Sequence, residues 1–166
     1  MPPILSIVGR SGSGKTTLIE KLIPEIKRRG YRVGTIKHTH HPVEIDQPGK
    51  DSSRLRAAGA DAVMLAAPGR LALIKEVNSD RLESLAAYFQ DVDLLITEGF
   101  KGESRPKIEV VRAALSPEML CRDNPDLIAV ATDMNLTLSL PVFGLENPLP
   151  IVDFIERRFL QRRQWP

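Results

Sequence analysis

Residues 9–16 read GRSGSGKT, and this stretch decides the fold. It satisfies the pattern G-x-x-x-x-G-K-[ST], in which a tightly wound loop presents converging backbone N–H groups to phosphate oxygens. An apolar run at residues 4–8 precedes it and predicts a buried strand. Apolar residues at helical spacing follow it and predict a helix that ends at Gly30. Strand, glycine loop and helix in this order predict a nucleotide-binding P-loop at residues 9–16.

Each part of the P-loop has a predicted role. The glycines permit unusual backbone angles and leave space beside the phosphates. Lys15 is expected to neutralise the β and γ phosphates, and the Thr16 hydroxyl to bind Mg²⁺. Arg10 could also point outward, toward a partner or a second subunit. The residues predicted to contact the nucleotide here are Gly9, Arg10, Ser11, Gly12, Ser13, Gly14, Lys15, Thr16 and Thr17.

The rest of the chain alternates short apolar strands with amphipathic helices, which predicts a parallel sheet. Residues 61–67 and 71–77 are separated by a Pro-Gly turn and predict a hairpin. Further strands are predicted at 32–36, 92–100, 107–111, 127–131 and 140–145. Helices are predicted at 53–58, at 81–90 and from Pro148 onward with Asn147 as N-cap, and a helical turn at 116–120. The expected architecture is a single α/β domain, residues 1–166: a P-loop NTPase three-layer sandwich with a mostly parallel sheet and a β-hairpin insertion.

A nucleotide with Mg²⁺ needs an acidic partner on a neighbouring strand, and DLLITEG (93–99) offers two. Ligands of open parallel sheets bind at the carboxyl ends of the strands. Asp93 begins its strand and would lie about 16 Å from that edge, at about 3.3 Å per residue. Glu98 is therefore predicted to bind Mg²⁺, directly or through water, and the alternative is a solvated carboxylate.

Three aspartates are further candidates. Asp46 and Asp51 lie in the long irregular segment 38–53, where P-loop proteins often place a carboxylate that orients water or Mg²⁺, so both are predicted catalytic residues together with Lys15. Asp51 could instead cap the helix that follows. Asp133 ends the strand of ATD (131–133), where it could select guanine by accepting hydrogen bonds from the base, or cap a turn.

Composition excludes several classes of protein. The chain has 166 residues, a net charge of +2 and 5% aromatic residues, which does not suit a nucleic-acid-binding surface. A single cysteine, Cys121, suits a reducing cytoplasm. The opening stretch MPPILSIVG lacks a basic start and is too short for a signal peptide or a membrane span. We expect a cytoplasmic protein with no nucleic-acid or membrane partner.

All three histidines, His38, His40 and His41, fall in the stretch KHTHHP (37–42). One interpretation is that Lys37 and the imidazoles recognise an anion, a pterin or a partner protein at the end of the second strand. Another is a zinc or nickel site, although no other histidine and no second cysteine beyond Cys121 is present to complete it. The third is a polar loop without a binding role.

Taken together, these motifs resemble the MobB family, molybdopterin-guanine dinucleotide biosynthesis protein B. The resemblance runs from about residue 4 to residue 133 and rests on SIVGRSGSGKTTL (6–18), IKHTHH (36–41), DQPGKDS (46–52), RAAGA (56–60), EGFK (98–101) and ATD (131–133). It implies a homodimer that binds GTP with Mg²⁺ and hydrolyses it weakly. It also implies an adapter role toward the molybdenum cofactor guanylyltransferase (MobA-type), which attaches GMP to molybdopterin. The hairpin at 61–77 could extend a sheet across such a dimer.

Two other functions remain compatible with the same residues. A metallochaperone GTPase for nickel or zinc would use the histidines to deliver a metal. A small-molecule kinase would use the long segment 38–53 to bind an acceptor hydroxyl. The first predicts tight metal binding, and the second predicts stoichiometric phosphate transfer.

Overall fold

The computed structural model describes residues 1–39, 41, 43 and 45–161. The chain forms two compact units, one comprising Met1–His38 with Leu82–Pro166 and the other Thr39–Arg81. Among the described residues, no helix is both long and apolar enough to cross a membrane. In chain order the elements are β1 (Ile4–Val8), α1 (Lys15–Arg28), β2 (Val33–Lys37), α2 (Asp51–Ala57), β3 (Ala62–Ala67), β4 (Arg70–Lys75), α3 (Leu82–Ala86), β5 (Leu94–Glu98), β6 (Lys107–Val111), β7 (Leu127–Thr132), β8 (Val142–Gly144) and α4 (Leu149–Ile155), which a π-helical segment, Glu156–Leu160, continues.

The first unit is built on a six-stranded sheet of order β2-β5-β1-β6-β7-β8. Every neighbouring pair is parallel, which confirms the predicted parallel α/β sheet. The chain leaves β1 for β2 on one side, while β5 leads to β6 on the other side of β1. The carboxyl end of β1 is therefore a topological switch point, where such sheets bind ligands.

Helices cover the sheet on both faces. On one face, Leu5 and Ile7 of β1 pack with the apolar side of α1 and with α4. On the other face, Ile4 packs in a cluster with Leu82 and Ala86 of α3. A third cluster lies under the irregular segments near residues 119–121 and 134–140. Because strand side chains alternate between faces and all five residues of β1 are buried, β1 is buried on both sides, as predicted for residues 4–8.

Ion pairs tie the end of α1 to the last helix. The Arg29 guanidinium donates to the carboxylates of Asp153 and Glu156, and the Tyr31 hydroxyl donates to Glu156. The last helix faces the core through Ile151 and Ile155, which are fully buried. These contacts fix the carboxyl-terminal end of α1, and its amino-terminal end begins within the P-loop, at Lys15.

The second unit contains α2 and the antiparallel hairpin of β3 and β4, which confirms the predicted hairpin. Val63 is buried, whereas Met64, Leu65 and Leu71 are exposed. Helix α2 begins at Asp51, two residues before the predicted start, with Lys50 as its N-cap residue. Asp51 is therefore a first-turn acid whose charge favours the helix amino terminus, and the expectation that it caps the helix is wrong.

Three local predictions are also wrong. Residues 116–120 form no helix, because the Glu109 carboxylate accepts the backbone N–H groups of Leu120 and Cys121. Helix α3 ends at Ala86 and not near residue 90. The last helix begins at Leu149, one residue later than predicted, although the Asn147 side chain still accepts the Leu149 N–H at 3.1 Å.

Candidate functional site

The P-loop has the backbone that its glycines predict. Gly9, Gly12 and Gly14 all have positive φ, of 143°, 76° and 90°. A Cβ at Gly9 would lie 2.4 Å from the Val110 carbonyl oxygen of the adjacent strand. Only glycine fits this position, because both the backbone angle and the close approach of β6 exclude a side chain.

Lys15 reaches back across the P-loop. Its Nζ donates to the carbonyl oxygens of Arg10 at 2.8 Å and Gly9 at 3.2 Å. Burial lowers the pKa of Lys15, Glu98 opposes that shift, and Lys37 adds to it. The ammonium group is thus partly desolvated and held over the loop, where an anion would replace backbone carbonyls as its acceptor.

Thr16, Glu98 and Lys37 meet beside the P-loop. The Thr16 Oγ1 donates to Glu98 Oε2 at 2.8 Å, and Lys37 Nζ lies 3.5 Å from Glu98 Oε1. Strand register explains this, since Glu98 pairs with Ile7 of β1 and with Lys37 of β2. The Glu98 side chain is only 14% exposed, so a hydroxyl oxygen and a carboxylate converge in a partly enclosed position.

Asp93 lies at the opposite end of β5. Its Oδ2 accepts the Arg32 N–H at 2.7 Å, before β2 begins. The structure therefore brings Glu98, and not Asp93, to the P-loop.

Asp133 lies just after β7, and its carboxylate has a partner in the chain. Its Oδ1 accepts the Ala113 N–H at 2.9 Å. An open cavity of about 720 Å³ adjoins it at the carboxyl ends of β7 and β8, lined by residues 132–137 and 142–147. Lys21 of α1 supports one wall, because its Nζ donates to the Leu145 carbonyl at 3.0 Å.

Arg112 is a residue that the sequence interpretation missed. It follows β6, and its Nε donates to the Ser13 carbonyl of the P-loop at 3.1 Å. A Cβ at Gly14 would lie 3.3 Å from two of its guanidinium nitrogens. The available signal was its position directly after a predicted strand, at the sheet edge that holds the P-loop.

The remaining P-loop side chains differ in their environments. Arg10 Nη2 lies 3.5 Å from Glu118 Oε2, so its guanidinium pairs with a carboxylate of its own chain. The Ser13 Oγ is buried and, among the described residues, has no hydrogen-bond partner. Ser11 and Thr17 are exposed.

The histidine stretch is only partly described. The His38 ring stacks on Phe100 with ring centroids 4.4 Å apart, and its backbone N–H donates to the Glu98 carbonyl at 3.0 Å. In the second unit, the Thr39 hydroxyl accepts the His41 N–H at 3.2 Å. His40 lies outside the described residues. Within the described part of the chain, no group of three or more His, Cys, Asp or Glu residues could hold a metal ion.

Asp46 and Asp51 both belong to the second unit. Asp46 Oδ1 accepts the Ser52 hydroxyl at 2.9 Å, and its Oδ2 is buried with no partner within the described residues. The Asp51 side chain is 92% exposed and lies 3.5 Å from Arg54 Nη1. Their predicted catalytic role stays a prediction.

A parallel sheet, a glycine loop with left-handed backbone at the switch point and an adjacent lysine, hydroxyl and carboxylate define a P-loop nucleotide-binding protein. A sequence model of the family described as "MobB: Molybdopterin guanine dinucleotide synthesis protein B" matches residues 4–133. The chain belongs to this MobB family.

Individual relatives agree along most of the chain. It is 41% identical over 162 residues to the "Molybdopterin-guanine dinucleotide biosynthesis adapter protein" of Escherichia coli strain K12, covering 93% of this chain and 92% of the relative. It is 42% identical over 157 residues to the protein of the same name in Haemophilus influenzae, covering 93% and 88%. A crystal structure of molybdopterin-guanine biosynthesis protein B superposes with a TM-score of 0.77 at 34% identity, covering 93% and 97%. Bacillus subtilis MobB superposes with a TM-score of 0.74 at 30% identity, covering 95% and 98%.

Proposed function

We propose that this protein binds GTP with Mg²⁺, hydrolyses it slowly, and acts in the cytoplasm as a homodimeric adapter in molybdopterin guanine dinucleotide synthesis. Its partner would be the molybdenum cofactor guanylyltransferase (MobA-type), and molybdopterin its further ligand. Membership of the MobB family supports the pathway, and the names of the relatives support the adapter role. The observation that carries nucleotide binding is the contact of Thr16 with Glu98 beside Lys15.

The P-loop supplies the phosphate contacts in this proposal. Its backbone N–H groups bind phosphate oxygens, and the amino terminus of α1 adds a favourable dipole. Lys15 exchanges the carbonyl oxygens of Gly9 and Arg10 for phosphate oxygens. A phosphate is the better acceptor, because its charge compensates for the partial burial of the ammonium group.

The residues next to Lys15 fit a magnesium ion. Thr16 and Glu98 bring a hydroxyl and a carboxylate oxygen within 2.8 Å of each other, and Mg²⁺ prefers oxygen ligands. When bound, Mg²⁺ neutralises phosphate charge. Lys37 contacts the same carboxylate and would keep it from repelling the phosphates.

The cavity at residues 132–137 and 142–147 supports a position for the guanine base. It opens at the carboxyl ends of β7 and β8, and the P-loop follows the carboxyl end of β1 in the same parallel sheet. The base would then lie on the β6 side of the P-loop and the metal on the β5 side.

The pairing of Arg10 supports the proposal of slow hydrolysis. An arginine aimed at the γ phosphate is what accelerates P-loop GTPases, and Arg10 instead pairs with Glu118. Of the two aspartates proposed to orient water, Asp46 is the stronger candidate because one of its oxygens is buried without a partner among the described residues.

Calorimetry of GTP and ATP, each with and without Mg²⁺, tests the nucleotide. We expect GTP to bind at micromolar concentration, ATP at least tenfold more weakly, and Lys15→Met to bind neither. Size-exclusion chromatography with purified guanylyltransferase tests the adapter role, and we expect co-elution. Absence of GTP binding at millimolar concentration with Mg²⁺ would overturn the nucleotide proposal, and separate elution would overturn the partner.

A further inference from the structure

Arg112 holds the P-loop from the side of β6. Strands β5 and β6 flank β1, so Glu98 and Arg112 approach the P-loop from opposite sides. Arg112 Nε donates to the Ser13 carbonyl at 3.1 Å, and its guanidinium lies against Gly14. The side chain is half-buried. Its hydrogen bond therefore forms in a partly desolvated place, where it contributes more than at an exposed surface.

This hydrogen bond orients one peptide group of the P-loop. In a planar trans peptide, the carbonyl and the following N–H point in opposite directions. The Ser13 carbonyl points to Arg112, so the Gly14 N–H points away from it. Among the described residues, the Gly14 amide donates no backbone hydrogen bond. The Ser13–Gly14 peptide thus presents an N–H group that is free to donate. Glycine has wide freedom in φ, here 90°, so this peptide could rotate if the Arg112 hydrogen bond did not restrain it.

Asp133 holds the segment that carries Arg112. Its Oδ1 accepts the Ala113 N–H at 2.9 Å, immediately after Arg112. Strand pairing ends close by, where Val111 of β6 pairs with Thr132 of β7. The Asp133 carboxylate therefore continues the connection between β6 and β7 one residue beyond the last strand pair.

We propose that Arg112 and Asp133 are positioning residues for the phosphate-binding backbone of the P-loop. Asp133 fixes the backbone at Ala113, Arg112 fixes the Ser13–Gly14 peptide, and the Gly14 N–H is thereby directed at a phosphate. The inference rests on the proposed function, in which the P-loop binds a nucleoside triphosphate. It assigns Asp133 to phosphate binding, whereas the sequence leaves open guanine selection or a turn cap for the same residue.

Inorganic tripolyphosphate separates these roles because it has phosphates and no base. Calorimetry would measure its dissociation constant and that of GTP for Arg112→Met, which keeps the length of the side chain and removes its donors. We expect both dissociation constants to rise by about tenfold, because the Gly14 N–H would no longer be aimed at the phosphate. Tenfold is the usual effect of losing one hydrogen bond to a charged group. Arg28→Met removes an exposed arginine from the far end of α1 and should change neither.

Two substitutions at Asp133 distinguish positioning from base reading. Asp133→Asn keeps an oxygen that can accept the Ala113 N–H, so we expect both ligands to bind within about twofold of the wild type. Asp133→Ala removes the acceptor and should weaken both ligands by about fivefold or more. Under guanine selection, Asp133→Asn would weaken GTP and leave tripolyphosphate unchanged.

The outcomes separate the two proposals. A wild-type protein that binds no GTP contradicts the proposed function. If the wild type binds both ligands and Arg112→Met binds them equally well, only the positioning role is overturned. The positioning role is also overturned if either Asp133 variant loses affinity for GTP but not for tripolyphosphate. A thermal melt of each variant verifies folding at the assay temperature. If Arg112→Met unfolds, Arg112→Lys replaces it, because lysine keeps the charge but lacks Nε. Arg112→Lys should also bind both ligands more weakly than the wild type.

Discussion

Thr16 Oγ1 lies 2.8 Å from Glu98 Oε2, across 82 positions of sequence. The contact exists because Thr16 ends the P-loop and lies in the first turn of α1, while Glu98 ends the strand that pairs with β1. A hydroxyl and a carboxylate that hydrogen-bond to each other share one side of the P-loop. The same two oxygens are suited to share a metal ion.

Replacing Glu98 by glutamine should remove most of the benefit that Mg²⁺ gives to GTP binding. The amide can still accept from Thr16, so local structure is kept, but the charge that favours a divalent cation is lost. We expect about tenfold weaker binding with Mg²⁺ and equal or tighter binding in EDTA, since a negative charge beside the phosphates is gone. Calorimetry in the two buffers measures both.

Asp93→Asn is the matched control for that change. It removes a carboxylate from the same strand at the end remote from the P-loop, and should leave the magnesium dependence unaltered. Equal magnesium dependence in Glu98→Gln and the wild type would contradict the assignment of Glu98.

GTP affinity should fall at alkaline pH sooner than an ordinary lysine would cause. Burial lowers the pKa of Lys15, and only the protonated form attracts phosphate. Affinity is therefore full below this pKa and is lost as pH rises through it. Lys15→Arg stays protonated at every pH used, so the ratio of its dissociation constant to that of the wild type should fall as pH rises. Ionisation of the nucleotide cancels in this ratio, and a ratio independent of pH would refute the assignment.

Gly9→Ala should unfold the P-loop region and destabilise the protein. The new methyl group would meet the Val110 carbonyl at 2.4 Å, at a φ of 143°. We expect the free energy of unfolding to fall by about 2–4 kcal/mol, measured by urea denaturation. Gly102→Ala is the control, because a Cβ there meets nothing within 4 Å and φ is not positive. A Gly9→Ala protein as stable as the control would show that the close contact with β6 is relaxed in solution.

Cys121 should react slowly with alkylating reagents in the folded protein. Burial raises the pKa of its thiol, and the nearby Glu109 carboxylate raises it further. The reactive thiolate therefore forms only at higher pH than in a free cysteine. Iodoacetamide labelling across pH should show a right-shifted profile, and urea should restore the ordinary one. Since the chain has one cysteine, all labelling reports on this site, and identical profiles in both conditions would disprove the shift.

The site residues that lie at the ends of strands could be predicted from the sequence. They depend only on local sequence and on the rule that ligands bind at the carboxyl ends of parallel strands. A glycine loop after an apolar strand places Lys15 and Thr16, and the length of β5 alone selects Glu98 over Asp93. The contact of Arg112 with Ser13 could not be predicted. It joins residues 99 positions apart, and it depends on β6 lying next to β1, which no local pattern encodes.

Residues 116–120 show why some local predictions failed. Their pattern is compatible with a helical turn, which needs carbonyl oxygens four residues earlier as acceptors. Glu109 lies on a buried strand beneath them and accepts the Leu120 and Cys121 amides instead. A buried carboxylate needs such donors, and this tertiary demand overrides the local propensity.

Because of the strand order, the P-loop cannot be completed during synthesis until both neighbours of β1 have been made. Strand β1 leaves the ribosome before both of its neighbours, β5 and β6, which come from residues 94–98 and 107–111. Pairing of such distant segments is slow and cannot begin before the later segment is made. A nascent chain that ends before about residue 111 therefore carries the complete GRSGSGKT motif but lacks the Val110 carbonyl that packs against Gly9. Nucleotide can stabilise the chain only once β6 has emerged.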